Sequence, residues 1–231
     1  MCRFFLIRSV LLIVLMVAAV VPATANIPTH DEPTRTIYLV RHGYYDWDNE
    51  DDPDTGKALV ALGRQQARLI AARLDALPIE FTSLQGSAMT RARQTAEIIA
   101  PHFPELELQI LRDIRECTMT TRRQDIMDRL DPGEAAECEA QLEAAWQRLF
   151  VPATGATDEH DIVVCHGNVV RWFVTRALDV DPTAWLGMSV SNGSLTTIQV
   201  RADGSFKVLG VGDSGHIPYR MNTFGADGAE Q

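Results

Sequence analysis

The sequence predicts an α/β domain, a three-layer αβα sandwich with a largely parallel central sheet. Three observations predict it. Strand-like and helix-like segments alternate along most of the chain. Two strand-like runs, residues 37–40 and 162–165, are continuously apolar, as expected of central strands covered on both faces. The 231 residues, 46% of them hydrophobic, suffice for one domain with a real core.

The elements follow in order. Residues 36–40 (Thr-Ile-Tyr-Leu-Val) are rich in strand formers. The stretch 44–57 is polar and acidic, with Pro53, Asp54 and Gly56, and reads as a loop. Residues 60–77 place Val60, Leu62, Ala67, Leu69, Ile70, Leu74 and Leu77 mostly at helical spacing. Residues 81–84 make a short strand, 88–100 a helix with Ala92, Ala96, Ile99 and Ala100 inward, and 106–111 an alternating strand. A polar helix over 134–150 buries Leu142, Ala145, Trp146 and Leu149. After strand 162–165 come a helix over 169–178 and a helical turn over 182–186. Strands 194–200 and 206–211 flank Ala202-Asp203-Gly204, a hairpin signal.

The ends differ from this body. Residues 1–25 carry Arg3 and Arg8 and no acid. An apolar run follows over 10–21, and then Pro22-Ala23-Thr24-Ala25. That pattern fits a secretory signal peptide cleaved after Ala25, so the expected location is exported, periplasmic or secreted. The rival expectation is an uncleaved anchor that tethers the protein to a membrane through residues 4–21. Residues 26–35 read as a linker, 36–223 as the folded domain and 224–231 as a loose tail. Cys2 lies in the head. Of the other cysteines, Cys165 sits in an apolar strand as a buried thiol, and whether Cys117 pairs with Cys138 is left open. The formal charge of −10 argues against a nucleic-acid partner and against charge-driven binding to anionic lipid.

Each continuous strand runs into His-Gly: Val40-Arg41-His42-Gly43 and Cys165-His166-Gly167-Asn168. Ligands of open α/β sheets bind beyond the carboxyl ends of central strands, so the two imidazoles are expected to meet in one cleft. Gly43 and Gly167 allow a sharp turn and an amide turned toward an anion. Arg41 adjoins the first histidine, and Arg91 opens a helix that follows a strand. Two guanidiniums, glycine amides and a helix N-terminus make a phosphate-sized anion pocket. Zinc is the weaker reading of the histidine pair, because the chain has no His-x-His, no His-Glu-x-x-His and no nearby cysteine cluster.

Taken together, these motifs resemble the histidine phosphatase superfamily, with its phosphoglycerate-mutase-like fold, over most of residues 36–218. The segment 39–43 resembles the family signature, Leu62-Gly63-Arg64-Gln65-Gln66-Ala67 its Leu-Gly-x-x-Gln-Ala helix start, and 87–95 its second arginine segment. Residues 166–171, Trp185-Leu186, 191–194 and 212–218 are most similar to the membrane-tethered mitochondrial Ser/Thr protein phosphatases within that family. The resemblance implies His42 as nucleophile, His166 as the second catalytic histidine, Arg41 and Arg91 as phosphate ligands, and Glu116, in Ile114-Arg115-Glu116, as acid and base. It implies a phosphomonoesterase working through phosphohistidine with no metal or cofactor, on a phosphomonoester or phosphoprotein. The alternatives are a phosphatase of small esters and an anion- or partner-binding module without turnover. Whether the chain assembles as a homo-oligomer is left open. The chain departs from the family after Gly43, where Tyr44, Tyr45, Asp46, Trp47, Asp48 and Asn49 occupy the site of a third phosphate contact. It also lacks the Arg-His-Gly-x-Arg-x-Pro and late His-Asp of the acid-phosphatase branch, and its 117–133 stretch is short for a mutase.

Overall fold

A computed structural model describes residues 32–45 and 55–224. The head at 1–25, most of the linker, the acidic stretch 46–54 with Trp47 and Asn49, and residues 225–231 lie outside the described residues.

The elements run β1 Arg35–Arg41, α1 Ala61–Asp75, β2 Ser83–Ser87, α2 Thr90–Ile99, β3 Leu108–Leu111, α3 Gln124–Met127, α4 Glu134–Leu149, β4 Glu159–Cys165, α5 Gly167–Ala177, β5 Leu195–Val200 and β6 Phe206–Asp213. A 3-10 turn, Pro182–Gly187, follows α5. The strands form one sheet in the order β3-β2-β4-β1-β5-β6. Pairing is parallel from β3 through β1 and antiparallel where β5 and β6 form the hairpin. The expected mostly parallel αβα architecture is therefore present.

The two continuously apolar runs are central and adjacent. On one face Ile37, Leu39, Val163 and Cys165 pack against Leu142, Ala145, Trp146 and Leu149 of α4 and Val169, Val170 and Phe173 of α5. On the other, Val40, Ile162 and Val164 meet Ile70, Ala71 and Leu74 of α1 and Ala92, Ala96 and Ile99 of α2. A strand read from both sides has no polar face to show, which explains the lost alternation. Each large side chain buried this way contributes about 1.5–3 kcal/mol relative to exposure.

Two elements differ from expectation. The predicted strand at 81–84 lies at 83–87, shifted toward polar residues. Those residues are satisfied there: half-buried Ser83 donates its Oγ–H to Asp161 at 2.6 Å, and buried Gln85 accepts through Oε1 from Arg148 at 3.0 Å. The short α3 carries no apolar stripe and so gave no periodic signal. Cys138 lies on the buried face of α4, where it forms a disulfide with Cys117 across 21 residues. Closing a loop of that size is worth roughly 3 kcal/mol. Cys165 is free and buried, as expected.

Gly43 and Gly63 mark where the loop after β1 crosses α1. A Cβ on Gly63 would lie 1.9 Å from the Tyr44 carbonyl oxygen, and one on Gly43 would lie 2.3 Å from the Gly63 oxygen. These are backbone contacts that no rotamer change relieves. Gly63→Ala is expected to cost about 3 kcal/mol or more and lower the melting temperature by several degrees. Gly187→Ala, where a Cβ meets nothing within 4 Å, serves as the control. Equal melting curves for the two variants would contradict the contact.

Candidate active site

β1 and β4 pair in parallel with Arg41 opposite Cys165. The residue after each is a histidine, so the rings of His42 and His166 meet with centroids 5.0 Å apart. The loop 191–194 fixes the turn. Arg41 N donates to Ser194 O at 3.1 Å, Gly193 N donates to Arg41 O at 3.0 Å, and Asn192 Nδ2 donates to His42 O at 3.2 Å. Gly193 holds φ +71°, where a side chain would also press on Gln66 and Ile217 at 3.1 Å.

The tautomer of His42 follows from its partners. Nδ1 lies 2.8 Å from the Gly43 carbonyl, which only accepts, so Nδ1 is the donor. Arg91 Nε, which only donates, lies 3.0 Å from Nε2. The ring is thus neutral with its lone pair on Nε2. Burial, then the charges of Arg91 and Arg41, hold its pKa well below the ordinary histidine value. His166 Nε2 sits 2.8 Å from Ser87 Oγ, while its buried Nδ1 finds no hydrogen-bond partner among the described residues. Burial, Arg91 and His42 depress its pKa as well.

Arg91, the second residue of α2, is only 6% exposed despite opening a helix. Its guanidinium stacks 4.6 Å over the Tyr45 ring, whose hydroxyl burial pushes up to about 12. Arg41 is also buried. Its Nη1 donates to the main-chain oxygens of Val190 and Phe224, and its guanidinium packs against Gly167, where a Cβ would lie 3.2 Å away. Phe224, expected in a loose tail, is thus part of the arginine's seat.

Glu116 comes to the same cluster from the loop after β3. Its Oε1 accepts from Asn168 N, in the first turn of α5, at 3.3 Å, and its shielded Oε2 finds no partner among the described residues. Burial raises its pKa, against the pull of Arg91 and Arg41.

All five expected side chains, Arg41, His42, Arg91, Glu116 and His166, converge. The two glycines divide. Gly167 is the first residue of α5, where helix amides have no partner within the helix. Gly43 N instead donates to Thr95 Oγ1 at 3.1 Å, so its role is close packing. Sequence reasoning passed over Ser87, Thr95, Asn168 and Asn192. Ser87 was reachable, because it ends β2 beside β4 and the strand-end rule that found the histidines applies to it too.

A neutral histidine whose Nε2 accepts from a buried arginine, beside a second histidine, a second buried arginine and a carboxyl of raised pKa, suits phosphoryl transfer. Known proteins agree. The Histidine phosphatase superfamily (branch 1) matches residues 37–214. The Caenorhabditis elegans Serine/threonine-protein phosphatase Pgam5, mitochondrial, is 40% identical over 83% of this chain and 67% of its own. The Homo sapiens counterpart is 33% identical over 80% of this chain and 64% of its own. A crystal structure of phosphoglycerate mutase from Plasmodium falciparum, 26% identical, superposes with a TM-score of 0.57 over 81% of this chain and 96% of that one. The chain therefore belongs to the histidine phosphatase superfamily, and it is a phosphatase enzyme. It spans about two thirds of the length of the curated relatives it matches.

Those relatives are named mitochondrial, which overturns the expectation of an exported, periplasmic or secreted protein with a signal peptide. An arginine-bearing, acid-free head is common to secretory and mitochondrial targeting segments, so the pattern did not discriminate. No helix among the described residues is long and apolar enough to cross a membrane.

The opposite pKa shifts give opposite slopes of stability with pH. His42 and His166 stay neutral when folded, so their contribution is full above the ordinary value of about 6.5 and drains as pH falls below it. Glu116 binds its proton more tightly when folded, so its contribution is full at acid pH and is lost as pH rises through its raised value. Glu116→Gln is expected to raise the melting temperature by an increment that grows with pH. A pH-independent or negative increment contradicts the shift.

Proposed function

We propose that residues 36–223 form a catalytic domain that hydrolyses phosphomonoesters through phosphorylated His42, with Ser/Thr phosphoproteins as the substrate class. The observation that carries this is the His42 Nε2 lone pair, fixed by the Gly43 carbonyl on one side of the ring and Arg91 on the other.

Arg41, Arg91 and the α5 N-terminus at Gly167 bind the phosphoryl oxygens. His166, whose buried Nδ1 lacks a partner among the described residues, adds a donor as charge shifts in the transition state. Arg91 Nε passes from His42 Nε2 to a phosphoryl oxygen, which frees the lone pair, and Nε2 attacks phosphorus in line. The N–P bond forms as the P–O ester bond breaks, and the leaving alkoxide takes its proton from the carboxyl of Glu116. Water then attacks phosphorus, its proton passes to the Glu116 carboxylate, and the N–P electron pair returns to Nε2. The raised pKa of Glu116 suits the acid half of this cycle. The relatives' names as Ser/Thr protein phosphatases support the substrate class. The negative chain favours phosphopeptides with basic flanks.

The test is hydrolysis of a chromogenic phosphate ester and of a phosphoserine peptide, both with EDTA present. Turnover of both is expected, reduced at least about 10⁴-fold in His42→Ala and about 10²–10³-fold in Arg91→Ala. Turnover of the chromogenic ester alone would remove the phosphoprotein assignment. Phosphate binding without turnover by the folded protein would make the site a binding module, and turnover abolished by EDTA would return the histidines to a metal.

A further inference from the structure

Glu116 is the one group of the proposed machinery carried by neither a strand end nor a helix. It lies in the irregular stretch between Leu111, which ends β3, and Gln124, which opens α3. Such loops are ordinarily the most mobile part of a domain. A general acid has to be held within a few tenths of an ångström, and this carboxyl is held out of water, against its preference for solvation.

The holding groups come mostly from one helix. Cys138 of α4 bonds covalently to Cys117, the residue after Glu116. Gln141, one turn along α4, donates to the Arg115 carbonyl, the residue before it, at 3.1 Å. Glu139 Oε1 accepts from Thr120 N at 3.0 Å. From α5, Asn168 reaches the same peptide: Nδ2 donates to Cys117 O at 3.1 Å while its backbone amide donates to the acid itself. Arg171 Nη1 in turn donates to Asn168 Oδ1 at 3.3 Å, fixing that amide's orientation.

We propose that the Cys117–Cys138 disulfide and Asn168 are positioning groups that hold Glu116 in its proton-donating place, so that the acid step depends on the redox state of this cysteine pair. The proposal rests on the reading of Glu116 as the acid. The disulfide supplies a covalent floor under a residue that otherwise rests on hydrogen bonds. Cys165, the other cysteine of the domain, is buried and carries a thiol whose pKa burial raises, so it does not compete for exchange. The groups facing the carboxyl are Arg41 at the end of β1, Tyr45 in the loop beyond, Arg91 of α2, Cys165 of β4, and Arg171 with the Asn168 amide of α5. Loosening the loop lets the carboxyl move toward water, which removes the burial that raises its pKa.

The full chain is assayed oxidised, after reduction with dithiothreitol, and after reoxidation. In the reduction a dithiol thiolate attacks one cysteine sulfur and the S–S bond breaks. Two electrons and two protons pass to the protein, and the dithiol leaves as its cyclic disulfide. Reduction is expected to lower kcat by about tenfold or more for an alkyl phosphate, whose alkoxide needs the acid, and by about threefold or less for a nitrophenyl phosphate. KM is expected to stay within about twofold, since Arg41 and Arg91 are carried by β1 and α2 and not by this loop. The alkaline limb of the alkyl profile moves down toward the ordinary carboxylate range, and reoxidation restores it. Asn168→Ala, which leaves the disulfide intact, moves the same limb the same way and provides a second reading if the Cys117→Ala/Cys138→Ala double variant fails to fold. Equal losses on both esters, or an unmoved limb in reduced protein that still melts cooperatively, would overturn the proposal. If Glu116→Gln leaves alkyl turnover intact in the oxidised protein, the acid assignment fails and this inference with it.

Discussion

The parallel pairing of β1 with β4, with Arg41 opposite Cys165, is the constraint on which the rest of the structure depends. It brings two histidines to one edge of the sheet without any long-range search by side chains. A slip of one residue would send one ring to the opposite face. The register is secured by burial on both faces and by the 191–194 loop, whose backbone bonds to Arg41 and His42 leave the turn no freedom. Gln66 adds a second fastening: its Oε1 accepts from Tyr44 N and its Nε2 donates to Met221 O, so one buried amide joins the loop after β1 to the C-terminal segment.

The electrostatics of the site run against those of the chain. A protein of net charge −10 seats two arginines almost out of solvent, Arg91 bonded to the His42 ring and Arg41 acting on it through its charge. Burial and those guanidiniums act in the same direction on His42 and His166, favouring the neutral form of both rings. On Glu116 the two influences oppose each other, and burial prevails. The same pocket thus holds a neutral histidine beside a carboxyl that binds its proton more tightly than an ordinary one.

Much of this was legible in the sequence, for identifiable reasons. Continuous apolar runs at 37–40 and 162–165 announced doubly covered strands, and His-Gly after each announced a shared cleft. The Arg91 segment was legible because helix N-termini and arginines share a ligand. Residues that act through another element left no such trace. Gly63 looked like a helix-start motif, but its reason is the Tyr44 carbonyl across a loop crossing. Thr95 ends the arginine segment 87–95, yet what it does is accept from the Gly43 amide, an element away. The Cys117–Cys138 pair needed the packing of α4 against the acid's loop, which no local pattern encodes. Strand β2 lies further along than its apolar residues suggest because its polar residues are satisfied by Asp161 and Arg148, partners far away in the chain.

The central claim is that His42 Nε2 takes the phosphoryl group. It is tested most directly by mixing the full chain with a radiolabelled phosphomonoester, quenching in base to preserve the acid-labile P–N bond, and mapping the label by peptide. Label on His42 alone, absent from His42→Ala, is the result this account predicts. Label on His166 or on any other residue, or burst turnover with no trapped label, would contradict it.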